Sequence, residues 1–190
     1  MVSRPFAIHI TWTCYGTWLP GDGRGHVSNV LLPGGGFVPR ANVPGTPYAP
    51  GDAFTHICAR TLQEHPTVWL IRPEARCVVE TLIGACGRRG WRILRAAVMA
   101  NHVHVVVTDC PDDGPSVRRV LKGTTQAALS KRLGHPRRWW TEDGSDRYKH
   151  DHAAIEAAVR YVADQPGMLA GVADMVAFTA GESDDVPPVI

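Results

Sequence analysis

The stretch that most restricts the fold is "AVMANHVHVVVT", residues 97 to 108. On a strand, side chains two residues apart share a face. Val103, Val105 and Val107 therefore line one face, while His102, His104 and Val106 line the other. The segment before it, "WRILRAAVM", reads as a second strand, and the turn-like "ANH" joins the two. The two imidazoles lie about 7 Å apart at their Cα atoms and can converge on one ion. Polar rings buried without partners cost free energy. Backbone carbonyls or a metal would each remove that cost, and the pattern of the strand is compatible with both.

Around this pair the chain reads as one small α+β sandwich. "FAIHITW", residues 6 to 12, alternates Phe6, Ile8 and Ile10 against Ala7, His9 and Thr11, as a strand does. Residues 15 to 52 are dense in Gly and Pro and read as one long irregular insertion, of a length that is often functional. "AFTHICARTLQEH" follows as a short amphipathic helix. Residues 72 to 90 form a helix, with Pro73 in its first turn, Cys77, Val78, Leu82, Ala85 and Cys86 at helical spacing, and Gly90 at its end. Residues 116 to 133 form another helix, interrupted by Gly123. "RRWWTEDGSDRYKHD" reads as a hairpin around "EDGSD", and residues 152 to 166 as a last helix stopped by Pro166. Without the short helix, the order is strand, helix, strand, strand, helix, strand, helix, and its first six elements match a ferredoxin-like split βαβ arrangement. The domain is expected to end near residue 166, with 167–190 a weakly patterned tail.

Composition narrows the setting. A chain of 190 residues, 44% apolar and 20% charged, suits one globular domain with a real core. The N-terminus lacks the basic-then-apolar layout of a signal peptide, and no apolar run is long enough to span a bilayer. Five cysteines without a CxxC pair suggest reduced thiols in a cytoplasm. The net charge of +2 says little about partners, but its distribution says more. Residues 117 to 138 hold Arg118, Arg119, Lys122, Lys131, Arg132, Arg137 and Arg138 and no acid. Such a face fits phosphate binding as well as ordinary solvation.

The last helix carries a second anomaly. Ile155, Val159 and Val162 form its apolar stripe, and Tyr161 falls roughly 120° away from it at 100° per residue. Gln165 follows one turn later, beside Tyr161. A tyrosine placed for core packing belongs on the stripe.

These residues together resemble a known family. "ANHVHVVV" is similar to the HUH motif (His, bulky apolar, His) of the single-tyrosine HUH transposases of small insertion sequences, especially their REP-associated relatives. "RYVADQP" resembles the helix carrying that family's nucleophilic tyrosine. "TWTCYGTWLPGDGRGHV" and "RRWWTEDGSDRYKHDHAAIEAAVRYV" resemble segments of one branch, so the likeness covers most of residues 6 to 166. Ala100 stands where the family usually has proline, and the smallest members lack the Gly/Pro insertion.

The resemblance implies a ferredoxin-like or RRM-like βαββαβ sandwich with an added C-terminal tyrosine-bearing helix. It implies His102, His104 and Gln165 as ligands of Mg²⁺ or Mn²⁺, and Tyr161 as the nucleophile that forms a 5′-phosphotyrosine link to single-stranded or hairpin DNA. Two imidazoles alone suggest a later metal than magnesium, so Mn²⁺ reconciles the two indications better. Arg118, Arg119, Lys122, Lys131 and Arg132 are then expected to hold phosphates. Trp139 and Trp140 are expected either to stack on unpaired bases or to pack in the core, and Arg24 and Arg40 to grip a hairpin. A homodimer that exchanges the tyrosine helix is one possible assembly. Two other readings stay open: a nucleic-acid-binding protein of this fold without chemistry, and a zinc hydrolase, which would need a third strong ligand and a carboxylate base.

Overall fold

The computed structural model describes residues 7–24 and 51–180. Phe6, Arg40, most of the Gly/Pro-rich segment and the last ten residues lie outside them. The elements are β1 (Ala7–Thr13), α1 (Ala53–Thr61), α2 (Arg72–Gly87), β2 (Arg92–Met99), β3 (His102–Thr108), α3 (Gly114–Leu133), β4 (Ser145–Lys149), α4 (His152–Ala163), β5 (Met168–Ala173) and β6 (Val176–Thr179). All strand pairs are antiparallel, in the order β4-β1-β3-β2-β5-β6. The first four of these strands, with α2 and α3, make the expected ferredoxin-like core.

The alternation read from the sequence divides the sheet into two unequal faces. Ile8, Ile10 and Trp12 of β1 and Val103, Val105 and Val107 of β3 are buried in the main core, which α2 and α3 cover through Val78, Leu82, Val117, Leu121 and Leu129. The opposite face carries only a small apolar cluster, Ala7, Ala97, Met99 and Val106, which meets Ala158 and Val162 of α4. Between the two clusters of this molecule, β1 and β3 present polar side chains beneath a single helix.

Four sequence expectations change. Gly123 does not interrupt α3, which runs unbroken past it. Helix α4 ends at Ala163, before Pro166, and the chain continues as β5 and β6 rather than as a tail. Their connection, Asp174–Met175, has positive φ at both residues, +44° and +65°. Such turns are usually Asn-Gly, so this one carried no turn signal. It is held from outside: Arg92 pairs with Asp174 at 2.7 Å, and the Asp174 and Met175 N–H groups donate to the carbonyls of Leu94 and Ile93.

The expected "RRWW…YKH" hairpin does not form, because one of its arms pairs with β1 and the other with Cys14 just beyond it. Trp140 bridges Cys14, and Ser145–Lys149 pairs with Ala7–Thr11. The intervening loop is held by Lys122, whose Nζ donates to the carbonyls of Thr141, Glu142 and Asp143 at 2.6, 2.7 and 2.9 Å. A Cβ at Gly144 would come within 2.5 Å of the Thr11 carbonyl oxygen, so only glycine lets this loop lie against β1.

Lys122 is therefore a structural clamp. Replacing it with methionine leaves three carbonyls without their cationic donor, and we expect a loss of about 2–3 kcal/mol in urea unfolding. Arg119→Met, on the exposed face of the same helix, is expected to stay within about 0.5 kcal/mol.

Candidate active site

The polar face of the sheet is built by register. Thr11 of β1 sits opposite His104 of β3, Thr13 opposite His102, and His9 opposite Val106. His104 is buried, and its Nδ1 lies 2.7 Å from Thr11 Oγ1 and 3.1 Å from His9 Nε2. His102 Nδ1 lies 2.7 Å from Asn101 Oδ1 and, protonated there, donates to it. The turn that presents His102 is pinned from both sides: Cys14 N–H donates to the Asn101 carbonyl at 2.8 Å, and Leu70 N–H to the Ala100 carbonyl at 2.7 Å. With their protons on Nδ1, both rings keep an Nε2 lone pair for an incoming cation.

Helix α4 crosses this face. Asp151 caps it, its carboxylate accepting from Ala154 N–H at 2.7 Å. Ala158 and Val162 face the sheet, and small residues there let the helix approach closely. Tyr161, off that stripe as expected, stays 54% exposed and leans onto the histidines. Its ring centroid lies 5.4 Å from that of His104 and 5.8 Å from that of His9, edge-on to both. Gln165, just past the helix, turns back so that its Nε2 donates to the Tyr161 carbonyl at 3.0 Å. Its side chain also lies close enough to His102 to raise that ring's pKa. His102, His104, Tyr161 and Gln165 thus meet within one chain, with no second copy needed to deliver the tyrosine. His102, His104 and Tyr161 border a cleft of about 550 Å³ whose walls include Thr11, Asn101 and Arg147.

Burial keeps the imidazoles neutral. Desolvation, then the charges of Lys149 and Arg147, lowers the His9 pKa to about 4. Desolvation, then His102, His9 and Arg147, lowers that of His104 to about 3. His102 is lowered mainly by desolvation, which its hydrogen bond to the Gln165 amide oxygen, favouring the protonated ring, partly opposes. All three rings therefore offer lone pairs, as metal binding requires. The donor set of two imidazoles and one amide fits a divalent ion that accepts both nitrogen and oxygen. Among the described residues no group of three or more His, Cys, Asp or Glu side chains could hold a metal, so a zinc-hydrolase site has no ligand set there.

His9 was missed as a site residue. Its alternation with Ile8 and Ile10 put it on the polar face, but only the β1–β3 register puts it against His104.

The residues expected to contact nucleic acid fare differently. Trp139 and Trp140 are both buried, which excludes base stacking in this arrangement. Trp139 Nε1 donates to Ser130 Oγ at 3.1 Å, and Trp140 meets Trp12 edge-on. Arg118 is committed to Asp146 at 2.6 Å, and Lys122 to its three carbonyls. Arg119, Lys131 and Arg132 are exposed, but α3 covers the sheet face opposite the histidines. Arg24 lines the cleft, its guanidinium over Trp18 and bonded to Asp22 and the Thr17 carbonyl.

No protein-family model matches the sequence, and no curated protein matches it. Among solved structures the chain is similar to a REP-associated tyrosine transposase bound to a REP hairpin, at 12% identity and a TM-score of 0.44, over 85% of this chain and 67% of that one. At that identity and score the likeness decides neither family nor activity. All five cysteines are unpaired, and no helix among the described residues is long and apolar enough to cross a membrane.

The neutral imidazoles set a pH dependence. Their folded pKa values lie below the unfolded value of 6.5, so the unfolded chain takes up protons first as pH falls. The urea midpoint is expected to be flat above about pH 6.5 and to fall steadily from there towards pH 4. His104→Gln is expected to make that fall shallower. An unchanged wild-type midpoint between pH 7 and 5 would contradict the burial of these rings as neutral groups.

Proposed function

We propose that this chain is a divalent-metal-dependent DNA strand transferase of the transposase type, which nicks and rejoins single-stranded or hairpin DNA through Tyr161. The observation that carries the reading is the meeting of Tyr161 with the row His9, His104, His102 and with Gln165. The resemblance of "ANHVHVVV" and "RYVADQP" to the HUH transposase motifs points the same way.

His102 and His104, with the Gln165 amide, would hold Mn²⁺ or Mg²⁺, the donor set favouring Mn²⁺. When bound, such an ion polarises a phosphodiester and offsets charge that develops on its oxygens. Asn101 and Thr11 hold the two rings through Nδ1, and this leaves both Nε2 atoms free for the ion. Gln165 ties the tyrosine's helix to His102, so the nucleophile and the phosphate-binding groups keep one geometry. The Tyr161 hydroxyl attacks phosphorus in line, its proton leaves to solvent or a base, and the 3′-oxygen departs as a free hydroxyl. The resulting 5′-phosphotyrosine conserves the phosphodiester bond, so a returning 3′-OH can reverse the step without ATP.

The test is covalent capture on a library of single strands that carry a short hairpin and randomised flanks, in Mn²⁺, read as denaturant-resistant adducts. Wild type is expected to form adducts, His104→Ala to lose at least about a hundredfold in rate, and Tyr161→Phe to form none. Adducts formed by Tyr161→Phe would overturn the assignment.

A further inference from the structure

The cations expected to guide nucleic acid lie on α3, behind the sheet, so the cleft must find its phosphate partners elsewhere. The sheet edge supplies them. In β4, Asp146 and Tyr148 face α3: Arg118 pairs with Asp146 at 2.6 Å, and Gly114 N–H donates to Tyr148 Oη at 2.9 Å. These two ties fix the strand's rotation. Arg147 and Lys149 must therefore face the other way, onto the histidine side. The register agrees, since Arg147 sits opposite His9 and Lys149 opposite Ala7. Both line the cleft, and neither makes an ion pair among the described residues.

We propose that Arg147 and Lys149 on edge strand β4 form the phosphate track that leads a single nucleic-acid strand to the histidines and Tyr161. The proposal rests on the strand-transferase reading and supplies its missing substrate contacts. Side chains two residues apart on one strand are about 7 Å apart at Cα, a step that suits successive phosphates of an extended single strand. Among the described residues no strand pairs with the outer side of β4, so a polymer can run along that edge beside them. The cleft of about 550 Å³ is larger than a lone phosphate needs and is within the range of ligand sites. The fields of Arg147 and Lys149 reach His9, and that of Arg147 reaches His104, which places these charges beside the reacting groups.

Two features on the same wall set limits. Asp143 also lines the cleft and repels a phosphate at its own position, so the track runs along β4 and not across the Thr141–Gly144 loop. Arg24 is already bonded to Asp22 and the Thr17 carbonyl and is left out of the track.

The test is fluorescence anisotropy of the full chain with a labelled single strand in EDTA, where binding is read without cleavage, over a salt series. Arg147→Gln/Lys149→Gln is expected to bind about tenfold more weakly, with the slope of log K against log salt reduced by about 1.4, two single-strand phosphates. Arg119→Gln/Lys131→Gln on α3 is expected to keep wild-type affinity within about twofold. Circular dichroism of both double variants confirms that they fold. Wild-type affinity and slope in the β4 variant would overturn the track while leaving the strand-transferase reading intact. So would an equal loss in the α3 variant. Failure of the wild type to bind any single strand would overturn both.

Discussion

The site depends on one constraint: β1 and β3 pair in the single register that puts Thr11 opposite His104 and brings His9 against the same ring. Three polar side chains are thereby gathered on a sheet face that one helix only partly covers. A shift by one residue would send the histidines into the aliphatic core and the valines onto the open face. The main core, dense with Trp, Val, Ile and Leu, makes that shift costly. Stability of the hidden face and placement of the open face are thus one and the same choice of register.

The open face uses what the hidden face secures. Small residues in α4 keep the helix close to the sheet, and its off-stripe tyrosine reaches the histidines without leaving the helix. On the other side of β4, Arg118 and the α3 N-terminus hold alternate residues and orient the remainder towards the cleft. Lys122 holds the loop that starts this strand. Arg118 and Lys122 of α3 therefore act on the cleft as fixtures of β4 and the loop before it, while Arg147 and Lys149, cleft-lining cations without an ion pair among the described residues, belong to β4 itself.

What could be read in the sequence follows from what is local. Alternation in "HVHVVVT" and "AIHITW" assigned both faces, because side-chain direction in a strand depends only on parity. The stripe of α4 set Tyr161 apart for the same kind of reason. Partners distant in sequence were not legible. His9 looked like one polar residue among several until register joined it to His104. The α3 charge run looked like a contact surface, but buried Val117, Leu121 and Leu129 turn that helix away from the cleft. Trp139 and Trp140 were consistent with either stacking or packing, and pairing with Cys14 and α3 decided for packing. Strands β5 and β6 were hidden by weak local signals: an Asp-Met turn, and Gly171, whose missing side chain lets Phe178 pack where a Cβ would lie 2.5 Å from its Cζ.

The central claim is that His102, His104 and Gln165 converge on one divalent ion beside Tyr161. Anomalous diffraction from crystals soaked in Mn²⁺ measures this most directly. The account predicts one strong peak within about 2.2 Å of both histidine Nε2 atoms, a normal metal–imidazole distance, facing the tyrosine of the same chain. A peak elsewhere, or none between these two rings at saturating Mn²⁺, would contradict it.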